Sequence, residues 1–316
     1  MTIVILKRGV NILRKRAPTL LKKMLTFLGS WFLAFLGLGL VVFFTVFVCR
    51  LSGEFSTTEG ELLTGNHSVA VVELSGEIMN IAEVRKNFER YLDAENIRAI
   101  VVRIDSPGGT VGASEELYRL IKSAQAKKPI VCSLGNFAAS GGLYVSMGCN
   151  KIVTLSGTIT GSIGVLFIMP NVGELMRRFG VEMTVIKSGP YKDSGLPFRS
   201  LEADEQQVLQ ALVNQTYEQF ITVVSEARKI PIDRVRAFAD GRVILGESAV
   251  KLGLADEIGG LERAAKLALE QTGDMSEPDI IFPRRKHGIF SYLTEVGEAR
   301  LRGYFDSATH GRLLYR

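Results

Sequence analysis

Residues 99–110 read Ala99-Ile100-Val101-Val102-Arg103-Ile104-Asp105-Ser106-Pro107-Gly108-Gly109-Thr110. Five of the first six are apolar, and most of those are β-branched. A short apolar run of this kind, closed by turn residues, reads as a strand buried on both faces. Ser106-Pro107-Gly108-Gly109 ends it abruptly, and the period of the apolar residues then changes. Across 113–126 they recur at helical spacing, so the segment is a strand, a tight turn and a helix. Upstream, 69–74 predicts a strand and 83–94 a helix. Downstream, 129–134 predicts a strand, 139–148 a short small-residue helix, and 151–155 and 183–187 two further strands. This alternation predicts an α/β domain with a mostly parallel sheet. From residue 201 helices dominate: a long amphipathic one over 201–229, a short one over 234–239, and another over 261–271 after a strand near Val243. The sequence contains no internal repeat and no low-complexity tract.

The chain has 316 residues, enough for one large domain with a sizeable core. Its 32 Gly, 9 Pro and three Cys exclude collagenous, disordered and disulfide-scaffold classes. The net charge of +5 is uneven. Lys7, Arg8, Arg14, Lys15, Arg16, Lys22 and Lys23 carry seven cations with no acid among the first 23 residues; subtracting those seven leaves the remainder at −2. The basic character belongs to an arm and gives no nucleic-acid-binding face.

No charge lies between Lys23 and Arg50. As a helix, 24–49 would be about 39 Å long, enough to cross a hydrocarbon core of about 30 Å. It exceeds the apolar core of a cleavable signal peptide, and no small-residue cleavage site follows it. Val48 is bulkier than the residue that precedes a lipoprotein cysteine, which argues against one at Cys49. The expected organisation is therefore a basic cytoplasmic arm (1–23), a transmembrane anchor (24–49), a linker (50–66), a catalytic domain (67–272) and a basic tail (273–316). The tail holds Arg284-Arg285-Lys286 and an amphipathic pattern over 289–304. The positive-inside rule keeps the N-terminus cytoplasmic and exports the rest. Cys132 and Cys149 would meet an oxidising space, but both lie in apolar stretches, so two buried free thiols are expected. Asn66-His67-Ser68 and Asn214-Gln215-Thr216 match a glycosylation pattern, a weak signal.

Much chemistry is excluded. His67, His287 and His310 are the only histidines and fall at the end of the linker and in the tail. A metal cluster, a Ser-His-Asp triad, a G-x-S-x-G elbow and a phosphate loop all lack their residues. Two glycine-rich segments remain. Gly108-Gly109 can turn the backbone and present N–H groups to a ligand, or simply connect a strand to a helix. Asn136-Phe137-Ala138-Ala139-Ser140-Gly141-Gly142-Leu143-Tyr144 sets one serine at a helix start, where backbone N–H groups favour negative charge; close helix packing would use the same small residues. A serine nucleophile needs a base. A desolvated lysine can serve, and Lys192 in Ser188-Gly189-Pro190-Tyr191-Lys192-Asp193-Ser194-Gly195 is the candidate, although that loop taken alone favours a solvated lysine.

Taken in order, D-S-P-G-G, A-A-S-G-G-x-Y, T-G-S-I-G-V and G-x-Y-K-D resemble signal peptide peptidase of the SppA type. The likeness covers about 69–269 and is closest to the short, single-copy bacterial form. It implies a ClpP/crotonase-like fold of repeated β-β-α units behind one transmembrane helix. It makes Ser140 the nucleophile, Lys192 the general base and Ser162, in Thr160-Gly161-Ser162-Ile163-Gly164-Val165, the residue that orients Lys192. The N–H groups of Gly141 and of Gly108 or Gly109 would hold the oxyanion. After Lys192 this chain reads Asp193-Ser194-Gly195-Leu196-Pro197-Phe198-Arg199, where the family's form is closer to D-I-G-S-P.

The implied function is a membrane-anchored serine endopeptidase that degrades remnant signal peptides and other apolar peptides after export, with no cofactor, no metal and no nucleic-acid partner. Its place would be the bacterial inner membrane, single-pass, with the catalytic domain periplasmic or extracellular, in contact with the lipid bilayer and assembled as a homo-oligomeric ring. Three alternatives share parts of the pattern. One is a related membrane-bound serine protease with another membrane-protein substrate, such as a stomatin-associated one. The second is a crotonase-like acyl-CoA enzyme, which export from the CoA pool disfavours. The third is a non-enzymatic binding protein, which an intact Ser140 and Lys192 pair disfavours.

Overall fold

A computed structural model of the chain describes residues 27, 31, 35–47 and 68–283. The chain divides into two units, Met1–Leu62 and Leu63–Arg316. In the first, the described residues are helical and their side chains exposed. The expected arm, the linker and the tail pattern over 289–304 lie outside the described residues, as does about half of 24–49. Among the described residues no helix is long and apolar enough to cross a membrane.

The second unit is α/β. In chain order it runs β1 (Ser68–Ser75), α1 (Ala82–Asp93), β2 (Ile97–Ser106), α2 (Val111–Ala124), β3 (Ile130–Ala139), α3 (Gly141–Ser146), β4 (Lys151–Thr154) and β5 (Ile159–Gly161). Then follow α4 (Gly173–Arg178), α5 (Ala203–Arg228), α6 (Ile232–Arg236), β6 (Val243–Leu245), α7 (Gly246–Leu252), β7 (Glu257–Ile258), α8 (Leu261–Glu270) and β8 (Asp279–Ile281). The strands form one mixed sheet in the order β6-β5-β3-β2-β1-β8, with β4 pairing β3 and β7. All pairs are parallel except β5 with β6.

The apolar runs are continuous because both faces of the sheet are covered. Alternate residues point to opposite faces. Val69, Val71, Ala99, Val101, Val131 and Val153 pack on Ala264, Ala265, Ala268 and Leu269 of α8. Their neighbours Ala70, Val72, Ile100, Val102, Ile130 and Ile152 belong to a larger core with Phe88, Leu117, Ile121, Leu143 and Ile221. Small alanines on α8 let that helix lie close to the valine face; the larger core takes the bulkier side chains.

Four expectations need correction. Residues 183–187 form no strand: 181–187 are irregular and exposed, because no neighbouring strand is there to take their N–H and C=O groups. β3 runs to Ala139, past the expected end at 134, so the residues before Ser140 are strand and the helix starts only at Gly141. The sheet also reaches beyond residue 272, since β8 pairs with β1 through Ser68 to Ala70. Finally, Cys132 and Cys149 are not free thiols but a disulfide. The turn after α3 carries the chain back beside β3, bringing their Cα atoms to 5.8 Å, within bridging reach.

Candidate active site

Ser140 stands at the junction of β3 and α3 with φ 53° and ψ −118°. That conformation is costly for a side chain with a Cβ and is kept where the surroundings over-determine it. Here they do. The Ser140 N–H donates to the Gly161 carbonyl at 2.9 Å, and the Ser140 carbonyl accepts from Tyr144 N–H at 2.9 Å. The neighbouring strand β5 and the helix after the serine thus each hold one of its backbone groups.

Ser162 is its counterpart one strand away. Parallel pairing of β3 and β5 sets Ala139 beside Gly161, so Ser140 and Ser162 are the next residues past the same register pair. Ser162 also has a positive φ, 51°, and its N–H donates to Arg242 O at 2.8 Å. Two strained serines therefore leave adjacent strand ends together.

The glycine turn after β2 closes against this junction. Asp105 fixes it: its carboxylate accepts from Phe137 N–H at 3.1 Å and from Asn136 Nδ2 at 3.0 Å. Gly108 N–H donates to Ser106 Oγ at 3.1 Å. Neither the Gly109 nor the Gly141 N–H is taken up by a hydrogen bond among the described residues. A side chain would not fit at either. A Cβ on Gly109 would collide with the Ile78 carbonyl, and one on Gly141 with Ser114 Oγ. A Cβ built on Gly141 would also lie 3.2 Å from Gly109 N, so the two donors are close neighbours.

Ser140, Ser162, Gly108, Gly109 and Gly141 all line one cavity of about 810 Å³. Its apolar wall includes Ile163, Val213 and Tyr217, with Tyr144 and Phe220 packed edge to ring at 5.1 Å. Burial pushes the Tyr144 hydroxyl up to about 12, so it stays neutral. The floor from α5 was not legible in the sequence. That helix reads as an amphipathic packing element, yet Gln210, Asn214, Thr216 and Tyr217 face the cavity. Asn214 and Thr216, noted above only for a glycosylation pattern, are among them.

Lys192 is the one expected site residue outside the cavity lining. It is exposed, in a turn over 190–195 where its N–H donates to Gly189 O at 3.2 Å. The residue after it is buried. Asp193, 6% exposed, accepts from Lys187 Nζ at 2.6 Å and Arg199 Nε at 3.1 Å. Arg199 and then Lys187 hold the Asp193 carboxyl down at about 2, and Arg199, with the Glu202 N–H, depresses Glu205 further still. Among the described residues no cluster of His, Cys, Asp and Glu is placed to hold a metal.

A serine hydroxyl beside two N–H donors unengaged among the described residues, in a cavity lined by both apolar and polar side chains, can perform acyl transfer. The comparisons agree in kind. The family model for "Peptidase family S49" matches residues 122–273. A Synechocystis protein named "Putative protease slr0021" is 43% identical over 208 residues, covering 65% of this chain and 74% of that one. The Arabidopsis thaliana "Serine protease SPPA, chloroplastic" is 30% identical over 275 residues, 84% of this chain but 39% of that protein. Among solved structures, a ClpP1 variant from Listeria monocytogenes superposes with a TM-score of 0.44 at 17% identity, covering 62% of this chain and 94% of that one. With a serine held by strand and helix over its central segment, and with relatives at this level of identity, the chain belongs to peptidase family S49 and is a serine protease.

Proposed function

We propose that the protein is a membrane-anchored endopeptidase with a Ser140–Lys192 dyad that cleaves apolar peptides, remnant signal peptides among them, after export. The observation that carries this reading is Ser140 at a positive φ beside the Gly109 and Gly141 donors. Ser140 Oγ attacks the scissile carbonyl carbon and gives its proton to the neutral Lys192 amine. The resulting oxyanion is held by Gly109 and Gly141 N–H; Gly108 N–H, already bound to Ser106 Oγ, is spared that role. Lys192 then protonates the leaving amine as the C–N bond breaks. Water, deprotonated by the same lysine, releases the acyl group and restores Ser140. Ser162, next to Ser140 in register, orients the lysine.

A lysine must lose its charge to act as base, and burial favours that. Lys192 is exposed in the single chain, so a neighbouring subunit is the natural source of burial. This favours a homo-oligomeric ring of ClpP/crotonase-type subunits in which Ser140 of one chain meets Lys192 of the next. The catalytic domain runs over 67–272 with β8 added; the apolar run 24–49 anchors it in the bacterial inner membrane, against the lipid bilayer, with the seven-cation arm in the cytoplasm. The Cys132–Cys149 disulfide fits an exported domain, since such bonds persist in oxidising compartments. Apolar peptides released in the bilayer fit the apolar cavity walls.

The test is hydrolysis of an apolar peptide by the full chain in detergent. Ser140→Ala and Lys192→Ala are each expected to lower turnover by at least about 10³-fold with unchanged melting, as members of one catalytic unit do. Wild-type turnover by either variant refutes the dyad.

A further inference from the structure

The Lys192 side chain is exposed, yet the residues that flank it are tied down by four ionised side chains, two of which, Asp193 and Glu205, are buried. We propose that Arg199, together with Asp193 and Glu205, is the positioning device of the catalytic lysine, locking the Lys192 turn onto the first turn of α5. The proposal rests on Lys192 being the base.

The bonds form an unbroken chain. Lys187 Nζ donates to Pro190 O at 2.8 Å and to Asp193 Oδ1 at 2.6 Å, clamping both sides of Tyr191-Lys192. Arg199 then reaches Asp193 with Nε at 3.1 Å and Glu205 with Nη1 at 2.7 Å and Nη2 at 2.5 Å. Ser194 Oγ donates to Glu205 Oε1 at 2.8 Å, a second tie from the turn to the helix. Glu205 belongs to the helix frame itself, accepting from Glu202 N–H at 2.9 Å in the capping box of α5. Farther along, the same helix lines the Ser140 cavity with Gln210, Val213, Asn214, Tyr217 and Phe220. One rigid element therefore carries both the cavity wall and the mooring of Lys192.

The chemistry of the tie suits that purpose better than it suits stability. Buried ion pairs add little net stability compared with apolar packing, but they are selective about geometry. Only a planar guanidinium can fork between two carboxylates in this way. The group also balances: Lys187 and Arg199 against Asp193 and Glu205. It therefore fixes the turn without setting a net charge beside a lysine that must give up its own.

The experiment measures peptide hydrolysis, and acylation of Ser140 by a fluorophosphonate, with the full-length assembled chain. Arg199→Met is expected to lower kcat on the order of 10²-fold with KM nearly unchanged, the scale of a misplaced catalytic group. Arg199→Lys should recover part of that loss, and Ser194→Ala, which removes a single hydrogen bond, should lower kcat several-fold at most. If Arg199→Met fails to fold or assemble, Ser194→Ala carries the same test. On a Lys192→Ala background neither substitution should reduce the residual acylation rate further. Equal losses on both backgrounds, or a raised KM with unchanged kcat, would overturn the positioning role. Full activity of Arg199→Met and Ser194→Ala beside an inactive Lys192→Ala would overturn it while leaving the base intact. Full activity of Lys192→Ala would remove the base and, with it, the device.

Discussion

At the scale of single residues, the site is defined by what cannot be larger. Gly109 has no room for a methyl group because the Ile78 carbonyl occupies the place, and Ile78 is itself bound to the turn through Thr110 N–H at 2.9 Å. A Gly109→Ala chain must move its backbone to accept the new atom, and its N–H moves with it. Loss of one oxyanion donor costs about 10² to 10³-fold in kcat. Gly109→Ala is therefore expected to lower kcat by that order while substrate binding, measured as KM, changes little. A variant with wild-type kcat would show that Gly109 N–H is not a donor to the transition state. The sequence marks Ser140 as a candidate because its neighbours are small and it precedes a helix, although close packing would use the same residues. It leaves Gly108 and Gly109 as alternatives, because the bond from Gly108 N–H to Ser106 Oγ forms only after the chain has turned.

At the scale of elements, two cross-links hold the site's frame. The first is the Arg199 cluster between the Lys192 turn and α5. Asp193 lies at about 2 against an ordinary 3.8, and Glu205 is displaced downward as well. A carboxylate whose folded pKa is depressed contributes stability that is present above its unfolded value and lost as pH falls through its folded one. The turn should therefore stay locked above about pH 4 to 5 and loosen as pH falls toward 2. Hydrogen exchange at 190–205 should accelerate over that window before the sheet opens; protection that persists to pH 2 would contradict the shifts. The second cross-link is Cys132–Cys149, which spans β3 and α3 and so encloses Ser140 in its loop. With a sequence separation of 17 between the cysteines, its loss is expected to cost about 3 kcal/mol. Replacing both by alanine should lower the melting temperature accordingly, and an unchanged melt would mean the bond is not formed in the protein.

At the scale of the whole second unit, many of the exposed apolar residues fall in one segment. Leu166, Phe167, Ile168, Phe179, Val185 and Ile186 all lie between β5 and the Lys192 turn, and Ile186 is 96% exposed. Monomers rarely leave such groups uncovered. Leu166 also lines the Ser140 cavity, so a copy of the chain seated on this segment would approach the nucleophile. Sharing of sites between copies can be measured directly. Ser140→Ala and Lys192→Ala proteins, each expected to be inactive, are dissociated, mixed and reassembled. Shared sites are expected to regain a substantial fraction of activity, because some interfaces then unite an intact serine with an intact lysine. A mixture that stays inactive while forming mixed oligomers would place the dyad within one chain.

The sequence by itself determined the alternation of strands and helices and the burial of the central strand, and it picked out Ser140 as a candidate. Each is written in local periodicity or in a short run of small residues, which needs only neighbours along the chain. Tertiary structure decided the rest. Cys132 and Cys149 pair because β3 and the turn after α3 return to the same place, a fact of register that no spacing of two cysteines contains. α5 forms the cavity floor because its packing rotates Asn214 and Tyr217 toward Ser140, whereas its sequence pattern shows only a partly apolar helix. Residues 183–187 carry apolar side chains suited to a strand but pair with nothing, since a strand exists only where another backbone meets it. Asp193 and Glu205 are buried because Arg199, Lys187 and Ser194 converge on them only after the turn has closed on the helix.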